Sequence, residues 1–383
     1  MSTPSAVSGP FDLAVVGAGI IGLSCARAAA LQGLRVVVID RDARSNGASV
    51  RNFGFVAVSG QERGTAWTRA RRTRAIWQEV ARQAGIAIVQ RGMWMMARRP
   101  EAVSVLDAFV RTEMAEGCRI LSRAAATARC PAFASADVRA VLESSIELRV
   151  ESREAVPKIA AWLAERHGVV FLPETAVLSV EPPRLETSRG IVDAGAAVVC
   201  PGDDVASLFP NEIAKYNVTR CKLQMLRLAD PGFRLPGVLM SDLGLLRYSG
   251  FSALPEATAL RERLSAEQGE QLQHGIHLIA TQSSDGTLVV GDSHHYAQTP
   301  DFFADERVDQ LILEEFAAAT GRAPGAVRER WTGTYASCTD RGMFIEAPAR
   351  NVRIVMITSG SGASTGFAIG EELVADLFGW STC

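Results

Sequence analysis

Residues 12–40 read DLAVVGAGIIGLSCARAAALQGLRVVVID, and the fold is decided here. An apolar strand over residues 12–16 runs straight into Gly17-Ala18-Gly19-Ile20-Ile21-Gly22, a GxGxxG pattern in the strand–turn–helix setting that gives it meaning. A helix of small residues follows over 23–32, Gly33 ends it, and a β-branched strand over 36–39 closes on Asp40. In such a unit Gly17 permits the tight turn, Gly19 lets the backbone approach a pyrophosphate, and Gly22 allows close packing of the helix. Free N–H groups at the helix start, Ile21 among them, suit phosphate. Asp40 lies 18 residues beyond Gly22, where a carboxylate accepts ribose hydroxyls, with Arg41 beside it. The plainer alternative is a glycine-rich turn with no ligand. Strand, helix, Gly33 and terminal acid standing in register argue against it. The pattern serves NAD and FAD alike, because both present an adenosine diphosphate to the same unit.

The whole chain has 383 residues, with 40 Lys plus Arg against 42 Asp plus Glu, a net charge of −2. That balance excludes a generally basic nucleic-acid binder. A hydrophobic share of 48% with 21% charged residues describes a globular protein, not a disordered one, and the length suggests two to three domain equivalents. The longest apolar run, residues 13–26, is broken by three glycines and stops at Arg27, so no transmembrane helix is expected. Residues 1–10 lack the positive start of a secretory signal, and a cytoplasmic location is expected. Seven cysteines form no CxxC pair and no Cys/His cluster. They read as small hydrophobes in a reducing compartment, with no disulfide framework and no zinc or other metal.

Further along, residues 62–84 have helical spacing. Trp67, Ala70, Ile76, Trp77, Val80 and Ala81 fall broadly on one side, and Arg69, Arg71, Arg72, Arg74 and Arg82 mostly elsewhere. The arginines read as a solvated face in preference to a docking patch. A strand over 86–97, a helix over 100–116, a turn-rich stretch to 150, a helix over 152–167 and a strand over 169–172 are predicted. Short β segments at 176–180, 184–187 and 190–192 lead to Ala196-Ala197-Val198-Val199-Cys200-Pro201-Gly202. An apolar strand ending in Pro-Gly this late suggests that the chain returns to the nucleotide sheet and turns beside the ligand, at Cys200 and Gly202.

From 218 to about 330 the pattern shifts to strands at 223–228, 275–281 and 287–290 with a helix over 306–320, which fits a separate substrate-facing sheet. The last strand, 352–357, runs into Thr358-Ser359-Gly360-Ser361-Gly362-Ala363-Ser364-Thr365-Gly366, and a closing helix is predicted over 367–378. A glycine- and hydroxyl-rich segment that opens a helix offers free N–H groups and a positive helix end to negative charge. A reduced flavin gathers such charge at its N1 and C2 carbonyl, and a nicotinamide does not. A plain loop with good caps is the alternative.

Taken together, these residues resemble the FAD-dependent D-amino-acid oxidase superfamily, which includes glycine oxidase and the sarcosine oxidases. The resemblance spans nearly the whole chain. It rests on the 17–40 fingerprint, on Gly47-Ala48-Ser49-Val50-Arg51-Asn52-Phe53-Gly54, on the 198–202 return, on Trp331-Thr332-Gly333 with Thr339-Asp340-Arg341, and on the 360–366 loop. It implies an extended FAD, with Ala48, Ser49, Arg51 and Asn52 lining the isoalloxazine. Gly360, Ser361, Gly362, Ser364, Thr365 and Gly366 would lie near N1 and O2, and Val177 would give a backbone contact to adenine. Within the superfamily, Ser49-Val50-Arg51-Asn52-Phe53-Gly54-Phe55 and Gly291-Asp292-Ser293-His294 resemble a branch proposed to oxidise aminophosphonates.

Three departures matter. Tyr335 stands where glycine oxidase has a carboxylate-binding Arg, Val289 where the sarcosine oxidases carry a Lys that promotes oxygen reduction, and Cys338 lies too near Asp340 to match their flavin-linking Cys. Non-covalent FAD is therefore expected, with O₂ or another electron acceptor.

The implied architecture is α/β, with a discontinuous Rossmann-type FAD-binding domain (1–85, 150–217 and 331–383). A second α+β substrate domain, built on a mostly antiparallel sheet, would take 86–149 and 218–330. The implied reaction removes hydride from an amine α-carbon to flavin N5 and leaves an imine that hydrolyses to a carbonyl; no strong protein base is needed. A phosphonate end calls for several cationic or hydroxyl donors. The candidates are Arg247, Tyr248, Tyr335, His294 and Lys222. Blander readings stand beside them: Arg247 as a surface ion pair, Lys222 as a snorkelling edge residue, and the neighbouring His295 as solvent-facing. Alternatives for the whole chain are an FAD-dependent oxidase or dehydrogenase of an amino, imino or 2-hydroxy acid, and a flavin-holding subunit that docks through Arg69–Arg74. Expected partners are a small anionic amine and an acceptor, with neither nucleic acid nor membrane.

Overall fold

The structure, a computed structural model, describes residues 9–380. The expectations placed on residues 1–8 and on Cys383 lie outside them. The opening strand Phe11–Val16 pairs in parallel with Val36–Ile39 on one side and Gly190–Val199 on the other. A strand in such a position is covered on both faces, which is why the segment is apolar without alternation. The sheet runs Met343–Ala349, Val352–Ile357, Gly190–Val199, Phe11–Val16, Val36–Ile39, Val170–Leu172, with Val177–Glu181 and Arg184–Thr187 attached to Gly190–Val199. The late return of the chain to the nucleotide sheet is thus real. It comes as one ten-residue strand, Gly190–Val199, where the sequence suggested two pieces.

The helix after the glycine turn spans Ile20–Leu31 and starts on the turn itself. Its partner is the closing helix Gly362–Phe378, which begins five residues earlier than the sequence suggests. The two cross so tightly that a Cβ on Gly370 would lie 2.6 Å from the Ser24 carbonyl carbon. A third helix, Thr65–Gln83, buries Ala70, Thr73, Ile76, Trp77, Val80 and Ala81. Its Trp77 Nε1 donates to the Ala363 carbonyl at 2.8 Å, and Thr73 Oγ1 accepts from Ala368 N at 3.0 Å. Its arginines are not simply solvated. Arg69 grips Glu372 through three contacts of 2.6–3.0 Å, Arg72 pairs with Glu371, and Arg74 donates to the Ile146 carbonyl. Much of the face read as solvent-exposed is an ion-pair seam that fixes the middle of the closing helix at Glu371 and Glu372.

The second sheet has ten strands in the order His295–Ala297, Thr219–Leu228, Leu288–Gly291, Ile279–Gln282, Val238–Ser241, Ile88–Ala97, Ala140–Val150, Phe55–Val56, with Val327–Ser337 and Cys118–Ser122 at its sides. Its pairs are antiparallel except Val238–Ser241 against Ile88–Ala97, so the expected mostly antiparallel second sheet is present. Several local expectations are corrected. The helix predicted to residue 116 stops at Phe109. The stretch read as turns contains the strand Cys118–Ser122, the helix Arg123–Arg129 and the eleven-residue strand Ala140–Val150. That strand hides Ser144, Glu147 and Arg149 in the interior, each bonded: Ser144 to Ser59 Oγ, Glu147 to Ser59 N, and Arg149 to the Phe53 carbonyl and Glu151. Polar residues made tolerable by long-range partners look like loop when read locally.

Candidate functional site

One large cavity of about 910 Å³ is lined from both sheets, near the top of the roughly 300–1,000 Å³ range of ligand pockets. It runs from the glycine turn to a polar end. At the turn, Gly17 has a φ of 105°, and a Cβ there would lie 2.6 Å from the Cys200 carbonyl oxygen. A Cβ on Gly22 would lie 1.8 Å from the Gly17 oxygen. Gly22 thus lets the helix close on its own turn. Ile20 N donates to Ser49 Oγ at 2.9 Å, so Ser49 caps this helix. The N–H groups of Ile21 and Gly22 have no carbonyl one turn back to bond, and both residues line the cavity with Gly19.

Asp40 accepts from Ala18 N at 2.6 Å and from Asp42 N at 2.9 Å, so its carboxylate stiffens the glycine turn. Arg41 points away to Asp204 at 2.8 Å. Val177 is half-buried and outside the cavity wall, but the segment before it joins the end of the second strand where Thr175 N donates to the Asp40 carbonyl at 2.8 Å. Cys200 and Gly202 line the wall. The six described cysteines are free thiols.

The middle of the cavity is bounded by Ala48, Ser49, Arg51 and Asn52 on one side and by Gly360, Ser361, Gly362, Ser364 and Thr365 on the other. Arg51 is held by the Asn46 carbonyl at 2.7 Å and the Asn46 side chain at 3.1 Å. Asn52 donates to the Ala48 carbonyl and accepts from Gly54 N and Ser152 Oγ. Ser364 Oγ accepts from Ala57 N at 2.9 Å, tying the closing helix to the strand beside it. Gly366 stands behind the wall, where a Cβ would meet Ile21 at 2.9 Å. Two helix starts, at Ile20 and Gly362, therefore open on one cavity and give it two positive ends.

The polar end gathers Arg247, Tyr248, His277, Asp292, His294, Tyr296 and Tyr335, of which Arg247 and Tyr296 are exposed. Arg247 donates to Tyr335 Oη at 3.0 Å. A cation thus stands beside Tyr335 from a different element, the short helix Gly244–Arg247. His294 is buried, with Nδ1 at 2.8 Å from the Gly275 carbonyl. Burial, with the Arg247 charge adding to it, pulls His277 down to about 3 and His294 well below the usual imidazole range. Burial likewise pushes Asp292 up to about 7 against the opposing pull of Arg247. His277 Nδ1 and Asp292 Oδ1, 3.4 Å apart, have no hydrogen-bond partner. His277, Asp292 and His294 bring their ligating atoms within 4.8 Å of one another, a cluster not foreseen from the spacing of the sequence. The Arg247 cation acting on all three opposes a metal dication there.

Lys222 is the candidate the structure removes. Its Nζ bonds Asp301 at 2.5 Å and the Phe303 carbonyl at 2.8 Å. Along Thr219–Leu228, Thr219 and Leu223 line the cavity, so Lys222 and Gln224 necessarily face the opposite side. His295 is not simply solvent-facing, since its Nε2 lies 2.9 Å from His274 Nδ1. Val289 is buried in the sheet, and Cys338 lines the cavity. His277, Asp292 and Tyr296 were missed as site residues. Their signal lay in the hairpin: Ile279 pairs with Gly291, so residues just before one strand and just after the other, His277 and Asp292 to His294, meet at the same end.

A parallel nucleotide-binding sheet, joined to a second sheet around a cavity that starts at GxGxxG, defines a dinucleotide-dependent oxidoreductase. The chain belongs to the DAO family, the FAD dependent oxidoreductases, whose model matches residues 12–377. FAD is accordingly the cofactor, and the cavity fits it: paired helix starts, a glycine turn without side chains, and a wall of hydroxyls. Among solved structures, glycine oxidase from Bacillus cereus ATCC 14579 superposes with a TM-score of 0.77 at 15% identity, covering 97% of this chain and 95% of that one. L-proline dehydrogenase from P. horikoshii gives 0.76 at 18% identity, covering 97% and 94%. Iminodiacetate oxidase from Chelativorans sp. BNC1 gives 0.72 at 18%, covering 97% and 96%. The comparison with curated proteins returned no match. Among the described residues no helix is long and apolar enough to cross a membrane.

Proposed function

We propose that the protein oxidises the C–N bond of a small amine with an anionic far end, the preferred substrate being an aminophosphonate such as a 2-aminoethylphosphonate derivative. The observation that carries this reading is the Arg247–Tyr335 pair at the polar end of the cavity. A guanidinium backed by a phenol is a fork for an oxyanion, and Tyr248, Tyr296 and His294 stand around it. When bound, FAD supplies the hydride acceptor. The protein's own part is to hold the anion at Arg247, orient the amine carbon toward the 48–52 and 360–365 walls, and exclude water. The names of several structural neighbours, glycine oxidase, L-proline dehydrogenase and iminodiacetate oxidase among them, support an amine donor as the class, while L-alpha-glycerophosphate oxidase from Mycoplasma pneumoniae shares the fold.

The same proposal places a FAD-binding part on the first sheet and a substrate part on the second, with non-covalent FAD and O₂ or another acceptor. Anaerobic mixing of the holoenzyme with a panel tests it: 2-aminoethylphosphonate, its N-methyl derivative, glycine, L-proline, iminodiacetate and a 2-hydroxy acid. Flavin bleaching by an aminophosphonate at the lowest concentration is expected. Bleaching only by the amino or imino acids moves the assignment to them, and none by any amine leaves a flavin-holding subunit.

A further inference from the structure

Resting on the amine reading above, we infer that Asp292, with His277 beside it, takes the ammonium proton from the bound substrate before oxidation. An amine gives up hydride from its α-carbon only when its nitrogen lone pair is free, yet an alkylamine is almost wholly ammonium at neutral pH. The cavity holds what such a cation requires and nothing that already uses it. Asp292 is 5% exposed, and its Oδ1 lacks a hydrogen-bond partner. His277 Nδ1, 3.4 Å away, also lacks one.

A buried carboxylate left unpaired is costly, and an R–NH₂R′⁺ group placed between these two atoms satisfies both. Arg247 is near enough to act on Asp292 electrostatically but forms no ion pair with it within 4.0 Å among the described residues, so the carboxylate remains open to a second cation. The anion at Arg247 and the ammonium at Asp292 then lie at two ends of one small zwitterion.

The step balances simply. One N–H bond breaks, its proton joins Asp292 Oδ1, the electron pair stays on nitrogen, and no redox change occurs in the protein. The groups facing Asp292 are His277, His294, Arg247, Tyr248 and Cys221. The two histidines are kept neutral by burial, so they orient the carboxylate and do not compete with the ammonium. Burial likewise lifts the carboxyl to about 7, where it is ionised enough to accept a proton yet basic enough to hold it.

The test uses wild-type and D292N holoenzymes mixed anaerobically with 2-aminoethylphosphonate from pH 6 to 10, with flavin absorbance followed. In the wild type the second-order rate should rise through about pH 7 and level. D292N should lose about 100-fold at pH 7.5, within the range of general-base contributions, then recover about tenfold per pH unit toward parity as the amine loses its own proton. The phosphonate's titration is common to both proteins and cancels in their ratio. D292N should keep its flavin content and melt no lower than wild type at pH 8, because an unpaired buried charge has been removed; H277Q should displace the wild-type break.

A D292N loss that is equal at every pH, or no loss at all, overturns the inference while leaving the amine reading intact. Stoichiometric metal in the purified protein overturns it as well. A wild-type flavin that no amine reduces sinks both, and that shows before the variant is compared.

Discussion

At the scale of single residues, the polar end of the cavity makes two separate predictions. Arg247 is the cation that lines that end with Tyr335, so R247M should raise KM for an anionic amine about 10- to 100-fold. That is the range for losing a hydrogen bond to a charged group, about 1.5–3 kcal/mol. Y335F, which removes only the phenolic hydroxyl, should cost no more than about tenfold, and steady-state kinetics on both variants gives the comparison. Asp292 has a second signature that needs no substrate. Its carboxyl is raised from 3.8 in the unfolded chain to about 7 in the folded one. The folded protein therefore binds the extra proton between those values, and the stability this residue contributes is present below about pH 4 and lost as pH rises through 7. Urea unfolding of the apoprotein between pH 4.5 and 8 should show that slope, and D292N should flatten it. None of this was legible from residue types alone. Arg247, Tyr248, Tyr335 and His294 were singled out as polar groups with a use. Lys222 looked equally good until strand alternation turned it to the far face, and His277 and Asp292 needed the hairpin register to be seen together.

At the scale of elements, the opening βαβ unit was readable nearly to the residue. Its strands are apolar throughout, its glycines sit at fixed offsets, and Asp40 ends it, all within 30 residues. The helix Thr65–Gln83 was equally visible from its period, but the role of its arginines was not, because their carboxylate partners Glu371 and Glu372 come 300 residues later. The strand Ala140–Val150 escaped because burial of its Ser, Glu and Arg depends on partners from elsewhere in the chain, and Val327–Ser337 because it opens on an exposed charged run, Arg328 to Arg330, that carries no strand alternation. Trp77 shows how such distant contacts organise the site: its ring packs edge-on against Phe367 at 5.1 Å and its indole N–H holds the Ala363 carbonyl. W77A should destabilise the fold by about 3–5 kcal/mol and loosen the start of the closing helix. Thermal melts of the apoprotein give the first effect, and a fall in FAD affinity, measured by fluorescence on titration, gives the second.

For the whole molecule, the cavity is assembled from both ends of the chain. The first helix and the closing helix meet where Gly370 faces the backbone of Ser24 and Cys25, leaving no room for a side chain. G370L should force the two apart, at about 1–3 kcal/mol or more, and give protein purified with substoichiometric flavin, read from the ratio of visible to ultraviolet absorbance. This contact also sets an order of events in the cell. The phosphate turn at 17–22 is translated early but remains uncovered until the segment that walls it in, 360–370, follows it. Capture of the vitamin-derived cofactor must therefore wait for that later segment, and a shortage of riboflavin would leave chains with an open seam for proteases to enter.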